Sequence, residues 1–560
     1  MPGSRLRRIE IGLGLLVVGA PLVFLPASAG PFSEPKLLLV EAGALSLWAA
    51  GAPVARGLAL PAALWVGALA VAGAMGVDPW WSFAGPENLL SGVLLLGTAA
   101  FLLVAGTGVP ADLVRRLPAW LVGVGVGACL LATVWRFWPG VLDRPVPHLS
   151  FEGGTLGHPV FLSGLAATAI VAALGLRRAP PAWIAIAVVV LATGLAISTK
   201  RTGWVALAVG LLVAIPRARP GRTRIALVVG TAAATLAVWT AADAVLHLGP
   251  VSGARRFGEL GTDSARSRLV IHAVLARAIV DRPLFGWGPG NTWSAYLANA
   301  SPRDIELAGH GVGDAHDLLL ESATTSGLIG LALLLFLLAR TAARLPEAPP
   351  ERGWALGSTA ALATLHLLQP VNVALTPMLF LLAGIAAGGV PDPLTADEKD
   401  PAGSLVLAAD GARSSSRVGR ALVGVLLSAG LVASASLVTA SVLEQYGRTY
   451  AEEWALRASL QLAPGRVSAA QALAIHLAID GRSGDAAAAR EAERLAAATV
   501  ARHPWNPAVR LLAADVQLLL RDEEGARAWL QRQFARFPVE RSVLPVPPSS
   551  EPFTPGSEEG

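Results

Sequence analysis

Apolar runs long enough to cross a bilayer recur along most of the first 441 residues, and they limit this chain to a membrane fold. About thirteen can be read, near 9–28, 36–51, 58–76, 90–107, 118–137, 159–176, 182–198, 203–216, 224–246, 317–339, 353–369, 373–389 and 418–441. Each is continuous rather than alternating. In lipid a spanning segment must satisfy its backbone polar groups internally, so the runs predict helices and not barrel strands. Of the 560 residues 54% are apolar and 15% charged, a balance that excludes a soluble globular chain. The expected fold is all-α: a polytopic membrane protein of about 12–13 transmembrane helices.

The first run resembles a signal peptide, with Arg5, Arg7 and Arg8 before it and Ala27-Ser28-Ala29 after it. Its length fits a retained span better. Cytoplasmic loops collect arginine and lysine. With the N-terminus inside, alternate loops are basic: Arg56; Arg115 and Arg116; Arg177 and Arg178; Arg217, Arg219, Arg222 and Arg224; Arg340, Arg344 and Arg352; Arg413, Arg417 and Arg420. The intervening loops are then extracytoplasmic, including a polar island of about 247–316 that holds Arg255, Arg256, Arg266 and Arg268. Lys200 and Arg201 break the pattern, because they lie between two spans on the outer side. Either they snorkel to headgroups, or Arg201 faces a cavity and holds an anion.

Five regions follow: a transmembrane domain at 1–390, a cytoplasmic linker at 391–417, a last span at 418–441, an extracytoplasmic helical domain at 443–540 and a disordered tail at 541–560. In the helical domain Pro504 and Pro538 stand 34 residues apart, each after an arginine-bearing helix end, with Ala513, Ala514 and Ala526 at small packing positions. That spacing is the tetratricopeptide period and predicts two or three repeats. The single cysteine, Cys129, allows no internal disulfide and no cysteine-based metal site. The net charge of +5 is spread over short loops and does not imply nucleic-acid binding.

Three segments, in order and spacing, resemble the O-antigen ligase and Wzy-type polymerase superfamily. The first is Ile197-Ser-Thr-Lys200-Arg201-Thr-Gly-Trp204. The second is Ser267-Arg268-Leu-Val-Ile-His272 with Arg282-Pro283-Leu-Phe-Gly-Trp-Gly-Pro-Gly290. The third is Ala315-His316-Asp317-Leu-Leu-Leu-Glu321 with Ser326-Gly327-Leu-Ile-Gly330. Asp78-Pro79 with Gly85, and Gly157-His158-Pro159, are looser matches. The resemblance covers roughly residues 10–390. His272 stands where the family usually has Trp, and Asp317 where it has Asn. It implies a bacterial inner-membrane enzyme that moves a glycan from undecaprenyl pyrophosphate to an acceptor on the outer face.

Such a transfer must stabilise charge on the departing pyrophosphate and take a proton from the acceptor hydroxyl. Glu34, Asp78 and Glu87 stand isolated in the sequence, so no carboxylate cluster for a metal is expected, and no cofactor. Guanidinium groups can replace a cation, because Arg stays charged and pairs bidentately with phosphate oxygens. Arg201 and Arg268 are the first candidates, with Arg266 and Lys200 behind them. The resemblance makes His316 the base. Asp314 is expected to cap the following helix and place His316 in its first turn, with Asp317 in support. His158, His148 and His310 are read as loop histidines, and Gly286, Gly288 and Gly290 as tight-turn residues rather than a phosphate cradle.

The reaction read from this pattern is inverting and metal-independent. The acceptor is left open among lipid A-core, a growing polymer and a protein side chain, and the C-terminal repeats among possible docking sites for a protein partner. A transporter or flippase of a lipid-linked substrate is the alternative, but it predicts ionisable residues at mid-membrane where few occur.

Overall fold

Prolines and short polar residues start many of the helices, as their geometry favours. Pro79, Pro159, Pro181 and Pro302 each occupy the first helical position, and the side chains of Asp78, Ser301, Asp317 and Asp485 accept hydrogen bonds from first-turn amides. The computed structural model describes residues 3–51, 55–87, 89–138, 141, 151–246, 263–309, 312–347, 349–388, 406–506, 509 and 511–536. Arg255, Arg256, His148, His310, Pro538, residues 391–405 and the 541–560 tail lie outside them.

Among the described residues the chain is helical and contains no strand. Helix α1 (Gly3–Gly14) passes through a π turn (Leu15–Gly19) into Ala20–Leu22. Then follow α2 (Glu34–Ala49), α3 (Arg56–Ala74), α4 (Pro79–Ala84), α5 (Val93–Gly106), α6 (Ala111–Phe137), α7 (Pro159–Ala173), α8 (Pro181–Ile197), α9 (Arg201–Ala218) and α10 (Arg222–Leu246). The polar island supplies α11 (Asp263–Asp281), α12 (Thr292–Asn299) and α13 (Pro302–Ala308). Helices α14 (Leu318–Ala342), α15 (Gly353–His366), α16 (Leu375–Ala387) and α17 (Val406–Tyr450) complete the membrane part. The C-terminal helices are α18 (Glu453–Leu462), α19 (Val467–Arg482), α20 (Ala486–Arg502), α21 (Leu512–Leu519) and α22 (Glu523–Arg536).

The all-α polytopic class stands. Six described helices, α3, α6, α9, α10, α14 and α17, are long and apolar enough to cross a membrane, while α5, α7, α8 and α16 are apolar but only 10–17 residues long. The runs at 36–51 and 353–369 form the shorter α2, of 16 residues, and α15, of 14. Helix α17 runs past both ends of the expected 418–441 span and makes residues 406–417 of the expected linker helical; no proline falls between 406 and 450 to stop it.

The basic loops gather on one face. Arg5 donates to Ala50 O and Gly51 O, Arg116 pairs with Glu10, Arg217 reaches Pro346 O, Arg224 reaches Arg177 O, and Arg352 reaches Ile385 O and Val109 O. The alternate loops meet at the other face. The island there has its own core of Ile271, Val274, Leu275, Trp287, Tyr296 and Ile305. The C-terminal helices have another, built on Leu473, Leu477, Ala492, Val500, Leu512 and Val516. Ala513, Ala514 and Ala526 are buried.

Helix α14 is broken at Gly327 (φ 68°, ψ −175°). The run Pro283-Leu-Phe-Gly-Trp-Gly288 fills the break. Trp287 N and Gly288 N donate to Thr324 O and Thr325 O, and Leu328 N donates back to Pro283 O. Backbone groups that a kink would leave unpaired in an apolar surround are thereby satisfied. Only glycine fits at either side of this contact: a Cβ on Gly327 would fall 2.2 Å from Leu284 O, and one on Gly286 2.5 Å from Thr324 O. The N–H groups of Trp287 and Gly288 are thus spent on the helix break and do not form a phosphate cradle.

Candidate functional site

Residues 314–317 form a short connection between the island and α14, held from both sides. Ala315 N donates to the half-buried Glu321 Oε2 at 2.8 Å, and Glu321 Oε1 accepts from Thr292 Oγ1. Ala315 O meets His272 Nε2 at 3.2 Å, so the histidine that replaces the family's usual Trp braces this connection. Asp317, not Asp314, caps α14: its Oδ1 accepts from Leu319 N at 2.8 Å and Leu320 N at 2.9 Å. The expected cap at Asp314 is corrected accordingly, because α14 begins at Leu318 and Asp314 lies too far upstream to reach its first amides.

His316 precedes that cap instead of occupying the first helical turn. Its φ is +52°, a conformation that costs a non-glycine residue about 1–3 kcal/mol unless its surroundings enforce it. Asp314 does so. Its Oδ1 accepts from His316 N at 2.8 Å and lies 2.5 Å from His316 Nδ1, off line for a hydrogen bond and in charge contact with the ring.

The basic candidates fall into two groups and an outlier. Lys200 and Arg201 start α9 just after Thr199, another non-glycine residue with positive φ (55°). Thr202 Oγ1 accepts from Gln369 Nε2 at 2.9 Å. On the island, Arg268 Nη1 donates to Leu368 O at 3.3 Å. Consecutive residues, Leu368 and Gln369, therefore tie the α9 start and Arg268 to one segment. Burial draws the Arg268 guanidinium below its ordinary range, and the nearby Asp314 carboxylate opposes this. Arg266 is exposed on α11.

A cleft of about 630 Å³ opens beside His316 and Asp314. His158, Gln369 and Asn372 line the same end. Asn372 caps α16 through Ala374 N and Leu375 N, and His158 caps α7 through Val160 N. Loss of water, then Lys200, holds the His158 imidazole below its usual range, with His316 adding to the effect and Glu152 and Asp314 opposing it. Sequence reasoning gave His158 only a loop role and passed over Gln369 and Asn372; the signal for His158 was its Gly-His-Pro setting before a span.

At the other end the carboxylates that look isolated in the sequence come together. Arg466, from the C-terminal helices, pairs with Glu34 at 3.2 Å and with Glu444, and its Nη2 donates to Ser441 Oγ at 3.0 Å. Ser468 donates to Glu87 and Glu444. Burial pulls the Arg466 pKa down, but Glu87, Glu444 and Glu34 outweigh it and hold it above its usual value. Asp78 is not isolated either: it caps α4 and takes His503 Nδ1 at 2.7 Å, with both side chains buried. Among the described residues, Glu453, His476 and Asp480 are grouped closely enough to hold a metal; they lie outside the cleft lining, and Glu453 is already paired with Arg457.

Polar and charged loops converge on this cleft beside a bundle of apolar helices, the architecture of a multi-pass membrane protein. Residues 186–335 match the model of the O-antigen ligase family, Wzy_C. Lys200, Arg201, Arg266, Arg268, Asp314, His316 and Asp317 all fall within the matched segment. No curated protein matches the chain.

Proposed function

We propose that this protein is an inverting glycan transferase of the bacterial inner membrane, working on its outer face with an undecaprenyl-pyrophosphate-linked glycan as donor. The observation that carries this reading is His316, held in a strained conformation against Asp314 at the mouth of the cleft. Asp314 fixes the backbone of His316 through its amide, and ring Nε2 is the nitrogen that accepts the proton of the acceptor hydroxyl. As the O–H proton passes to Nε2, the oxygen forms a bond to the anomeric carbon. The bond from that carbon to the pyrophosphate oxygen breaks, and the electron pair leaves with the phosphate. Arg268 and Arg201, with Lys200 and Arg266 as outer partners, stabilise that charge without a metal.

The family match supports glycan transfer of ligase or polymerase type. The acceptor is a lipid A-core, a polymer end or a protein side chain. Arginine-rich loops on the face opposite the cleft support an N-terminus in the cytoplasm and a C-terminal domain outside it. We read the C-terminal helices as tetratricopeptide-type repeats. The test is transfer by the purified full-length protein from undecaprenyl-pyrophosphate oligosaccharide. Consumption of donor with glycan appearing on an acceptor supports the reading, and inert donor overturns it.

A further inference from the structure

The cleft is not a property of the membrane domain alone. Glu444, Arg448, Arg466 and Ser468 form one of its walls, and all four come from the end of α17 or from the C-terminal helices. That wall is fastened down. Besides the Arg466 and Ser468 contacts, His503 meets Asp78 and Trp505 stands edge-on to Trp287 at 6.1 Å between centroids. A domain docked through buried ion pairs and aromatic contacts acts as part of the site's architecture, not as a flexible appendage.

The chemistry of the lining favours one class of ligand. Among the described lining residues, the carboxylates Glu34, Glu87, Asp314 and Glu444 face only two guanidinium groups, Arg448 and Arg466. Both are engaged: Arg466 with Glu34 and Glu444, Arg448 with Glu444 at 3.0 Å and with Ser468 O at 2.9 Å. Burial lifts the Glu34 pKa to about 7, so near neutral pH the other three carboxylates face the two guanidinium groups, and an anionic ligand would find both guanidinium groups already paired. The Arg268 side of the site, where charge on a phosphate could be met, lies outside this lining. Gln369 and Asn372 each spend one end of the amide inside the protein, which leaves Gln369 Oε1 as an acceptor and Asn372 Nδ2 as a donor beside the rings of Phe32 and Phe161, a pairing that suits a neutral sugar.

We propose that the C-terminal helical domain completes an acceptor site in this cleft and that the site takes an uncharged, hydroxyl-rich glycan. The inference rests on the glycan-transfer reading and specifies the acceptor chemistry for it. Donor phosphate is then held on the Arg268 side, and the acceptor chain approaches His316 along the wall that carries Arg448 and Ser468.

The test uses the full-length protein in nanodiscs, with undecaprenyl-pyrophosphate oligosaccharide as donor. One acceptor probe is the neutral oligosaccharide released from the same lipid, and the other is that oligosaccharide carrying a phosphomonoester. Ala29 and Leu89 line the cleft and are half-buried, so Ala29→Trp and Leu89→Trp each narrow it from a different loop. The ratio of acceptor KM to donor KM is expected to rise about tenfold in each variant that folds, a loss of about 1.4 kcal/mol of binding. Ala501→Trp, at an exposed position of α20 outside the lining, is expected to leave that ratio near the wild-type value. The phosphorylated probe is expected to show a higher KM than the neutral one in the wild type. An unchanged ratio in both Trp variants, or equal use of the two probes, would overturn the proposal while leaving glycan transfer standing. A wild-type protein that consumes no donor would instead remove the transferase reading itself, and this inference with it.

Discussion

Arg466 Nη1 lies 3.2 Å from Glu34 Oε1 across 432 residues of sequence, and both side chains are sealed from solvent. This pair, with Glu444 and Glu87, joins the C-terminal helices to the membrane domain. Removing one partner from a buried pair leaves the other charge uncompensated and costs about 3–5 kcal/mol. Arg466→Ala is therefore expected to lower the thermal midpoint and expose the C-terminal domain to limited proteolysis. Arg466→Ala with Glu34→Gln is expected to recover part of the loss. A wild-type midpoint for the single variant would show that the pair does not hold the domain.

Gly327 sits where α14 breaks and where the 283–288 segment enters. Gly327→Ala sets a Cβ 2.2 Å from Leu284 O in a backbone conformation that alanine disfavours, so a cost of at least about 3 kcal/mol is expected. The measurement is the yield of monodisperse protein in detergent, compared with Gly123→Ala. Gly123 is helical, in α6, and a Cβ there would meet nothing within 4 Å. Equal yields would contradict the assigned role of the break.

These two cases mark what could be read from the chain by itself. Local patterns carried far. Apolar length predicted helices, and the motif order resembled a family whose model matches residues 186–335. Long-range pairing was not legible. Nothing near Glu34 or Glu87 announces Arg466, and nothing in Pro283-Leu-Phe-Gly-Trp-Gly-Pro-Gly290 shows that the amides of Trp287 and Gly288 bond the distant carbonyls of Thr324 and Thr325. The helix start before Leu318 was misread by three residues because two aspartates, Asp314 and Asp317, offer the same capping chemistry. Helix lengths were less legible: the runs at 36–51 and 353–369 form helices of 16 and 14 residues, since hydropathy does not register the turns that end them.

Arg268 offers a test of the metal-free reading. Truncating a group that stabilises charge in the transition state typically lowers kcat by about 10²–10³. Arg268→Ala is expected to fall in that range. Arg268→Lys should recover only part of the rate, because an ammonium lacks the bidentate fork. Chelation of divalent cations is expected to leave wild-type transfer unchanged. A rate abolished by chelator and restored by added cation would assign the charge stabilisation to a metal instead.

Asp314 is expected to matter through His316 rather than through the helix. Asp314→Asn removes the charge beside Nδ1 while keeping an acceptor for His316 N. The variant should melt near the wild-type temperature with kcat reduced by about 10-fold or more, as when a histidine base loses its orienting carboxylate. Asp317→Ala removes the α14 cap and should instead lower stability by about 1 kcal/mol. Reversed outcomes, with Asp314→Asn unstable and fully active, would assign Asp314 a structural role.

The central claim is that His316 takes the proton of the acceptor hydroxyl, and its most direct measurement is single-turnover transfer by reconstituted His316→Ala protein. Loss of a positioned general base typically costs about 10²–10⁴ in rate. The account predicts a fall of that size, with donor binding retained and the variant folded. Undiminished transfer by a normally expressed His316→Ala protein would contradict it.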